Sequence, residues 1–253
     1  MEEIKIIPLG IVSPFCTSEN NCPGYLIKYK EHNILLDCGN GISKYLNLPN
    51  DLKNLHIIIS HFHIDHFGDL GTLQYASFCF NNLGMLDNKI NIYLPRNDYG
   101  YNKKTILERT ESFSEYHDIE DDKTIYIDDL KITFKNNNSH TIESFMIKVE
   151  NNDFKIVYTS DIGTTNFEEL VNFSKDADLL ICESSFIVKH NSNSTTHFTA
   201  QKAGFLAKES NTKKLMLTHF WPLEDKNEYL DEALNVFENT ILPVEGKELI
   251  LKK

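Results

Sequence analysis

Residues 57–66 read Ile57-Ile58-Ile59-Ser60-His61-Phe62-His63-Ile64-Asp65-His66, and the fold is decided here. A compact apolar run at 56–60 predicts a buried strand, and four metal-competent side chains follow directly on it. In an extended segment residues i and i+2 face the same way, so His61 and His63 can grip one ion. Asp65 and His66 come after a change of direction and can serve a second. Unpaired polar groups cost several kcal/mol each in a dry interior, and metal coordination removes that cost.

The arrangement recurs along the chain. An apolar run at 154–158 ends in Thr159-Ser160-Asp161, a run at 214–217 ends in Thr218-His219, and His140 stands ahead of a strand predicted at 143–149. Ligands in α/β proteins gather where strand ends meet. The resulting assignment is His61, His63 and His140 for one metal, Asp65, His66 and His219 for the other, and Asp161 as the bridge. Neutral imidazoles and carboxylates without thiolate fit zinc best among divalent ions, with manganese and iron as alternatives. The set leaves room for a bridging hydroxide, as a catalytic site needs.

Of the other histidines, His32, His56, His117 and His190 have no patterned company and are read as surface or packing residues. His197 differs. It sits in Thr196-His197-Phe198-Thr199-Ala200, just ahead of a helix that Thr199 can cap, where it can act as a general acid over the metals. The alternative is a first-turn surface histidine.

Further strands are expected at 4–8, 25–29, 33–37, 90–94, 125–134 and 178–182. Helices are expected at 66–83, with Leu70, Leu73, Ala76 and Phe80 on one face, and at 167–174, 200–209 and 230–239. Antiparallel strands first and β-α units later suggest two sheets with helices outside, an α/β sandwich built as one domain over residues 1–253. Residues 97–122, polar and aromatic, read as a helical insertion or lid, or as a surface excursion without a role.

Net charge is −12 with no basic run, which disfavours a large nucleic-acid footprint and leaves a small phosphorylated ligand open. Five cysteines, an odd number without C-x-x-C, and no signal peptide predict reduced thiols in a cytoplasmic protein; a Cys16/Cys22 disulfide or shared metal is the lesser option. No apolar stretch approaches the ~18 residues of a membrane span.

With these residues placed, His61-x-His63-x-Asp65-His66 followed by His140, Asp161 and His219 resembles the motif set of the metallo-β-lactamase superfamily. The resemblance implies a four-layer αββα sandwich with the metals at one edge between the sheets. In detail it is similar to the ribonuclease Z and phosphodiesterase branch. There, an aspartate bridges the metals, matching Asp161 in Ser160-Asp161-Ile162-Gly163, and a histidine before a helix helps protonate the leaving group, matching His197 in His197-Phe198-Thr199-Ala200. The Gln74-Tyr75-Ala76 helix resembles small bacterial members, and homodimers are frequent in the family. The sequence departs at one place. Members that process tRNA carry a long basic arm between the ligands matching His140 and Asp161, where this chain has only residues 141–160. A small phosphodiester or nucleotide-like substrate is therefore the first expectation, with catalysis by Asp65 and His197. The alternatives are a carboxylic ester, thioester or lactone hydrolase on the same centre, a ribonuclease Z-like endoribonuclease, and a non-catalytic metal-binding module.

Overall fold

In the computed structural model, which describes residues 3–97, 114–163, 166–190 and 194–253, two seven-stranded sheets face each other. In the first, β1 (Glu3–Gly10), β2 (Gly24–Tyr29) and β3 (His32–Leu36) run antiparallel. β4 (Leu55–Ile58), β5 (Ile90–Pro95) and β6 (Ser114–Ile119) then continue parallel from β3. In the second, β7 (Thr124–Ile127), β8 (Leu130–Asn136), β9 (Phe145–Glu150) and β10 (Lys155–Tyr158) are antiparallel. β11 (Leu179–Glu183), β12 (Leu215–Thr218) and β13 (Thr240–Ile241) run parallel to β10. The last strand, β14 (Leu249–Lys252), returns to the first sheet beside β1.

The layers follow from alternation along each strand. Leu36 and Ile58 point between the sheets, with Phe134, Ile147, Ile156 and Tyr158 opposite them. Their neighbours Leu35, Ile57 and Ile59 point outward, onto Leu70 and Leu73 of a helix at Leu70–Asn82. On the far side, Val157, Leu180 and Leu217 pack beneath helices at Phe167–Ser174, Ala200–Glu209 and Lys226–Leu234. Central strands buried on both faces need continuous apolar runs, which is why Ile57-Ile58-Ile59 reads as it does. The arrangement is helix, sheet, sheet, helix. We number the helices α1 (Ile64–Phe67), α2 (Leu70–Asn82), α3 (Phe167–Ser174), α4 (Ala200–Glu209) and α5 (Lys226–Leu234).

Three expectations are corrected, and a fourth can be compared only in part. Residues 66–83 are not one helix: α1 and α2 are separated at Gly68-Asp69, where the Asp69 N–H donates to the Cys38 carbonyl and Asp69 Oδ2 accepts from Ser43 N–H. On α2, Leu70 and Leu73 are fully buried while Ala76 and Phe80 are only partly so. Residues 125–134 are two strands, because Asp128 takes a left-handed turn (φ 53°) with Asp129 and folds β7 back on β8. The helix expected at 230–239 starts earlier, at Lys226, where the Asp225 carboxylate caps the Asn227 N–H, and ends at Leu234. Finally, the part of 97–122 that is described carries no helix. Residues 114–119 form an edge strand, β6, and the lid expectation for 98–113 lies outside the described residues.

His56 lies on β4, stacked on Tyr93 at 6.1 Å, with His32 and His117 nearby. Burial first, then those two rings, lower its pKa from 6.5 to about 4. The folded value is the lower one, so as pH falls the unfolded chain binds the proton first. Stability is therefore lost between about pH 6.5 and about pH 4. His56→Phe should flatten that part of a stability–pH profile measured by urea unfolding; an unchanged slope contradicts this.

Candidate metal centre

Five strands deliver polar residues to the same edge of the sandwich. Asp37 follows β3, Ser60-His61 follow β4, Ser160-Asp161 follow β10, Glu183 is the last residue of β11 and His219 follows β12. Asp37, Ser160 and His219 all have left-handed backbones, with φ of 58°, 54° and 63°. Non-glycine residues rarely adopt that region, and such strain concentrates at functional sites. Here it turns the chain abruptly out of each strand and aims the side chains across the gap between the sheets.

The seven residues assigned from the sequence converge. His61, His63, His140 and Asp161 offer donor atoms within 4.8 Å of one another, and so do Asp65, His66 and His219. Asp161 lies between the groups. Its Oδ2 is 3.3 Å from His140 Nε2 and 3.6 Å from His61 Nε2. Its Oδ1 is 2.9 Å from His219 Nε2 and 3.2 Å from His66 Nε2. Facing nitrogens crowd together as well, with His61 Nε2 3.0 Å from His63 Nδ1 and His66 Nε2 3.3 Å from His219 Nε2.

This geometry fits divalent cations, for three reasons. The buried Asp161 Oδ1 makes no hydrogen bond even though two ring nitrogens approach it. The outward nitrogens of three rings are already engaged: His61 Nδ1 by Ser60 and Ser160, His66 Nδ1 by Asp37, and His219 Nδ1 by Ser185. That leaves each Nε2 lone pair facing inward, the orientation expected of metal-binding imidazoles. Third, the buried carboxylates call for positive charge, supplied either by protons on the facing histidines or by a metal. Burial opposes ionisation of Asp161, but His219 and His66 hold it well below the usual carboxylate range. Burial would likewise lower His219, yet Asp161 and Asp65 push it up to about 10, and Asp161, Asp65 and Asp37 raise His66. His61, by contrast, is lowered by burial and by His66, which keeps its imidazole neutral. Protons held by carboxylates on facing histidines are those a metal displaces on binding.

His197 stands at the same centre, within the group Asp161, His197 and His219. Thr199 caps α4 by accepting from Lys202 N–H, as expected, and so fixes the segment that carries His197. The segment also packs on Gly163. A Cβ there would sit 1.8 Å from the Thr195 carbonyl oxygen, so only glycine lets the chain after Asp161 pass this closely. His197 Nδ1 is 2.9 Å from the buried carboxylate of Glu183. Burial lowers the pKa of His197, but the Glu183 hydrogen bond and charge outweigh it, and the net shift is upward.

Sequence reasoning missed Glu183, Asp37 and the serines around them. Glu183 accepts from the Ser185 hydroxyl, which also meets His219 Nδ1 at 2.7 Å, so His197 and His219 share one network. Asp37 accepts from the Ser60 N–H and hydroxyl and from the Tyr158 hydroxyl, besides holding His66. Both carboxylates end apolar strands, the same signal that identified Asp161. Ser13, on the loop after β1, donates to Asp65 Oδ2 at 2.6 Å. Asp37→Ala should leave four buried donors unpaired and cost about 3–5 kcal/mol in urea unfolding. Metal affinity should fall about 10- to 100-fold in chelator competition; unchanged stability and affinity would contradict this role.

Away from the centre, His190 pairs with Glu224 at 3.1 Å, and among the described residues neither it nor His32, His56 or His117 belongs to a metal-competent group. All five cysteines are free, Cys16 exposed and Cys22 buried. Among the described residues no helix is long and apolar enough to cross a membrane.

Fold and site together define a metal-dependent hydrolase with a two-metal centre. The family model of the beta-lactamase superfamily domain matches residues 32–220, and the chain belongs to that superfamily. A probable metallo-hydrolase of Bacillus subtilis, YhfI, is 28% identical over 94% of this chain and 96% of its own. The crystal structure of YhfI superposes with a TM-score of 0.87 at 24% identity, covering 99% of each chain. A ribonuclease Z of Archaeoglobus fulgidus is 28% identical over 94% of both chains. The short form of human tRNase Z has the same fold, with a TM-score of 0.73 at 20% identity over 97% of this chain and 98% of that one.

Proposed function

We propose that the protein is a phosphodiesterase acting on a small phosphodiester or nucleotide-like substrate. The observation that carries this reading is the Glu183–His197 pair set against Asp161 and His219. A phosphodiester with an alkoxide leaving group needs a proton delivered beside the attacked phosphorus. The relatedness to ribonuclease Z supports phosphorus over carbon as the centre attacked. A net charge of −12 and a connection of only residues 141–160 between His140 and Asp161 favour a small substrate over a long RNA.

His61, His63, His140 and Asp161 Oδ2 would hold one cation, and Asp65, His66, His219 and Asp161 Oδ1 the other. Two such cations supply Lewis acidity toward the phosphoryl group and activate water near neutral pH. Asp65, anchored by Ser13, orients the attacking water. Glu183 holds His197 through Nδ1 and leaves Nε2 to carry the proton given to the departing oxygen. Zinc is the proposed metal, the cytoplasm the proposed compartment and a homodimer the proposed assembly. Zinc-loaded protein should hydrolyse bis(p-nitrophenyl) phosphate with a kcat/KM above that for lactone and thioester panels. Faster turnover of a lactone or thioester would move the assignment to carbonyl chemistry.

A further inference from the structure

Two segments frame the metal centre from the side of Asp65 and His219, and both end in an exposed aromatic ring. The first is the loop after β1, where Ser13 holds Asp65 and Phe15 follows two residues later. The second leaves β12 through His219, with Trp221 two residues on. The segments are tied together, since Ser13 N–H donates to the Phe220 carbonyl and Val12 forms a β-bridge with Phe220. Phe15 and Trp221 meet edge to face, with centroids 5.8 Å apart and planes at 77°. Phe15 is 45% and Trp221 38% exposed.

Two further apolar side chains, close in the sequence to Asp65 and to Trp221, are exposed. Ile64, between His63 and Asp65, is 61% exposed, and Leu223 is 76% exposed. Charge on these segments does not favour an anion: Glu19, Glu224 and Asp225 lie on them, and Lys226 is engaged by Asn20 at 2.7 Å. An aromatic corner of this kind, beside a centre that handles phosphate, offers a face and an edge to one flat ring and no grip for a polyanion.

We infer that Phe15 and Trp221 form a stacking corner that binds a nucleobase of the substrate next to the scissile phosphodiester. The inference rests on the phosphodiesterase reading and narrows it to nucleoside phosphodiesters. Stacking of a base on an aromatic side chain is sequence-tolerant and strong enough to set substrate preference. Phe15 and Trp221 act on binding and placement, without touching the reacting atoms.

Trp221 is the only tryptophan of the chain, so its fluorescence reports on the corner directly. Adenosine 5′-monophosphate should quench it saturably in the zinc-loaded protein, ribose 5-phosphate should not, and Phe15→Ala should weaken the adenosine effect about tenfold or more. Equal quenching by the two ligands, or none by either, overturns the inference. A kinetic arm compares p-nitrophenyl thymidine 5′-phosphate with methyl p-nitrophenyl phosphate, which share a leaving group. The preference for the thymidine diester should drop about tenfold in Trp221→Ala and be largely kept in Trp221→Phe. An undiminished preference in Trp221→Ala overturns the inference while leaving phosphodiester hydrolysis intact. Base-dependent quenching without hydrolysis of either diester keeps the corner and removes the phosphodiesterase reading.

Discussion

Asp161→Asn is expected to lower kcat at least about 10^3-fold, beyond the cost of losing one oriented hydrogen-bond donor, and to reduce bound metal below two per chain. Among the described residues it is the only one whose two oxygens face both ligand groups, Oδ2 toward His140 and His61 and Oδ1 toward His219 and His66. Asparagine keeps the volume and one oxygen but loses the charge that offsets the cations. The backbone around it is held independently, because Asn137 Nδ2 donates to the Asp161 carbonyl and the Ile162 N–H donates to Glu183. Circular dichroism and thermal melts should therefore show a folded variant. Full metal content with activity within tenfold of the parent would mean that Asp161 does not bridge.

The second large effect concerns His197. His197→Ala should slow hydrolysis of alkyl phosphodiesters about 10^2- to 10^4-fold, the range of a general acid. The slowing should be much smaller for p-nitrophenyl esters, because nitrophenolate departs without a proton. Glu183→Gln should reproduce part of the effect, since it removes the charge that raises the His197 pKa and leaves a hydrogen-bonding group in place. A plot of rate against leaving-group pKa should be steeper for His197→Ala than for the parent. Parallel slopes would leave His197 a binding or structural role only.

Much of this site was legible because its signals are local. Ile57-Ile58-Ile59 marks a strand buried on both faces, and His61, Asp65 and His66 after it are buried and costly to bury without a cation, whereas His63, read as buried with them, is exposed at the rim. Asp161, His140 and His219 could be added because each stands beside a strand. The same rule, applied to a lone carboxylate, does not separate a partner of a ligand from an ordinary strand end, so Asp37, though inside the Leu36-Asp37-Cys38-Gly39 segment where the family resemblance begins, was given no role, and neither was Glu183. Their roles depend on which side chain faces them across the sheets, His66 for one and His197 for the other. The fold misreadings have the same origin. The break between α1 and α2 is set by Cys38 and Ser43, 31 and 26 positions upstream along the chain, which bond to Asp69. Apolar periodicity continues across 125–134 regardless of the Asp128-Asp129 turn, because residues on both sides of it face the same core. β6 reads as polar since it is an edge strand, with Glu115 and Asp118 exposed.

Anomalous diffraction from crystals of the zinc-loaded protein, recorded on both sides of the zinc edge, tests the central claim most directly. Two peaks are predicted, one among His61, His63 and His140 and one among Asp65, His66 and His219, with Asp161 contacting both. A single peak, or zinc bound anywhere that leaves Asp161 without a metal contact, would contradict it.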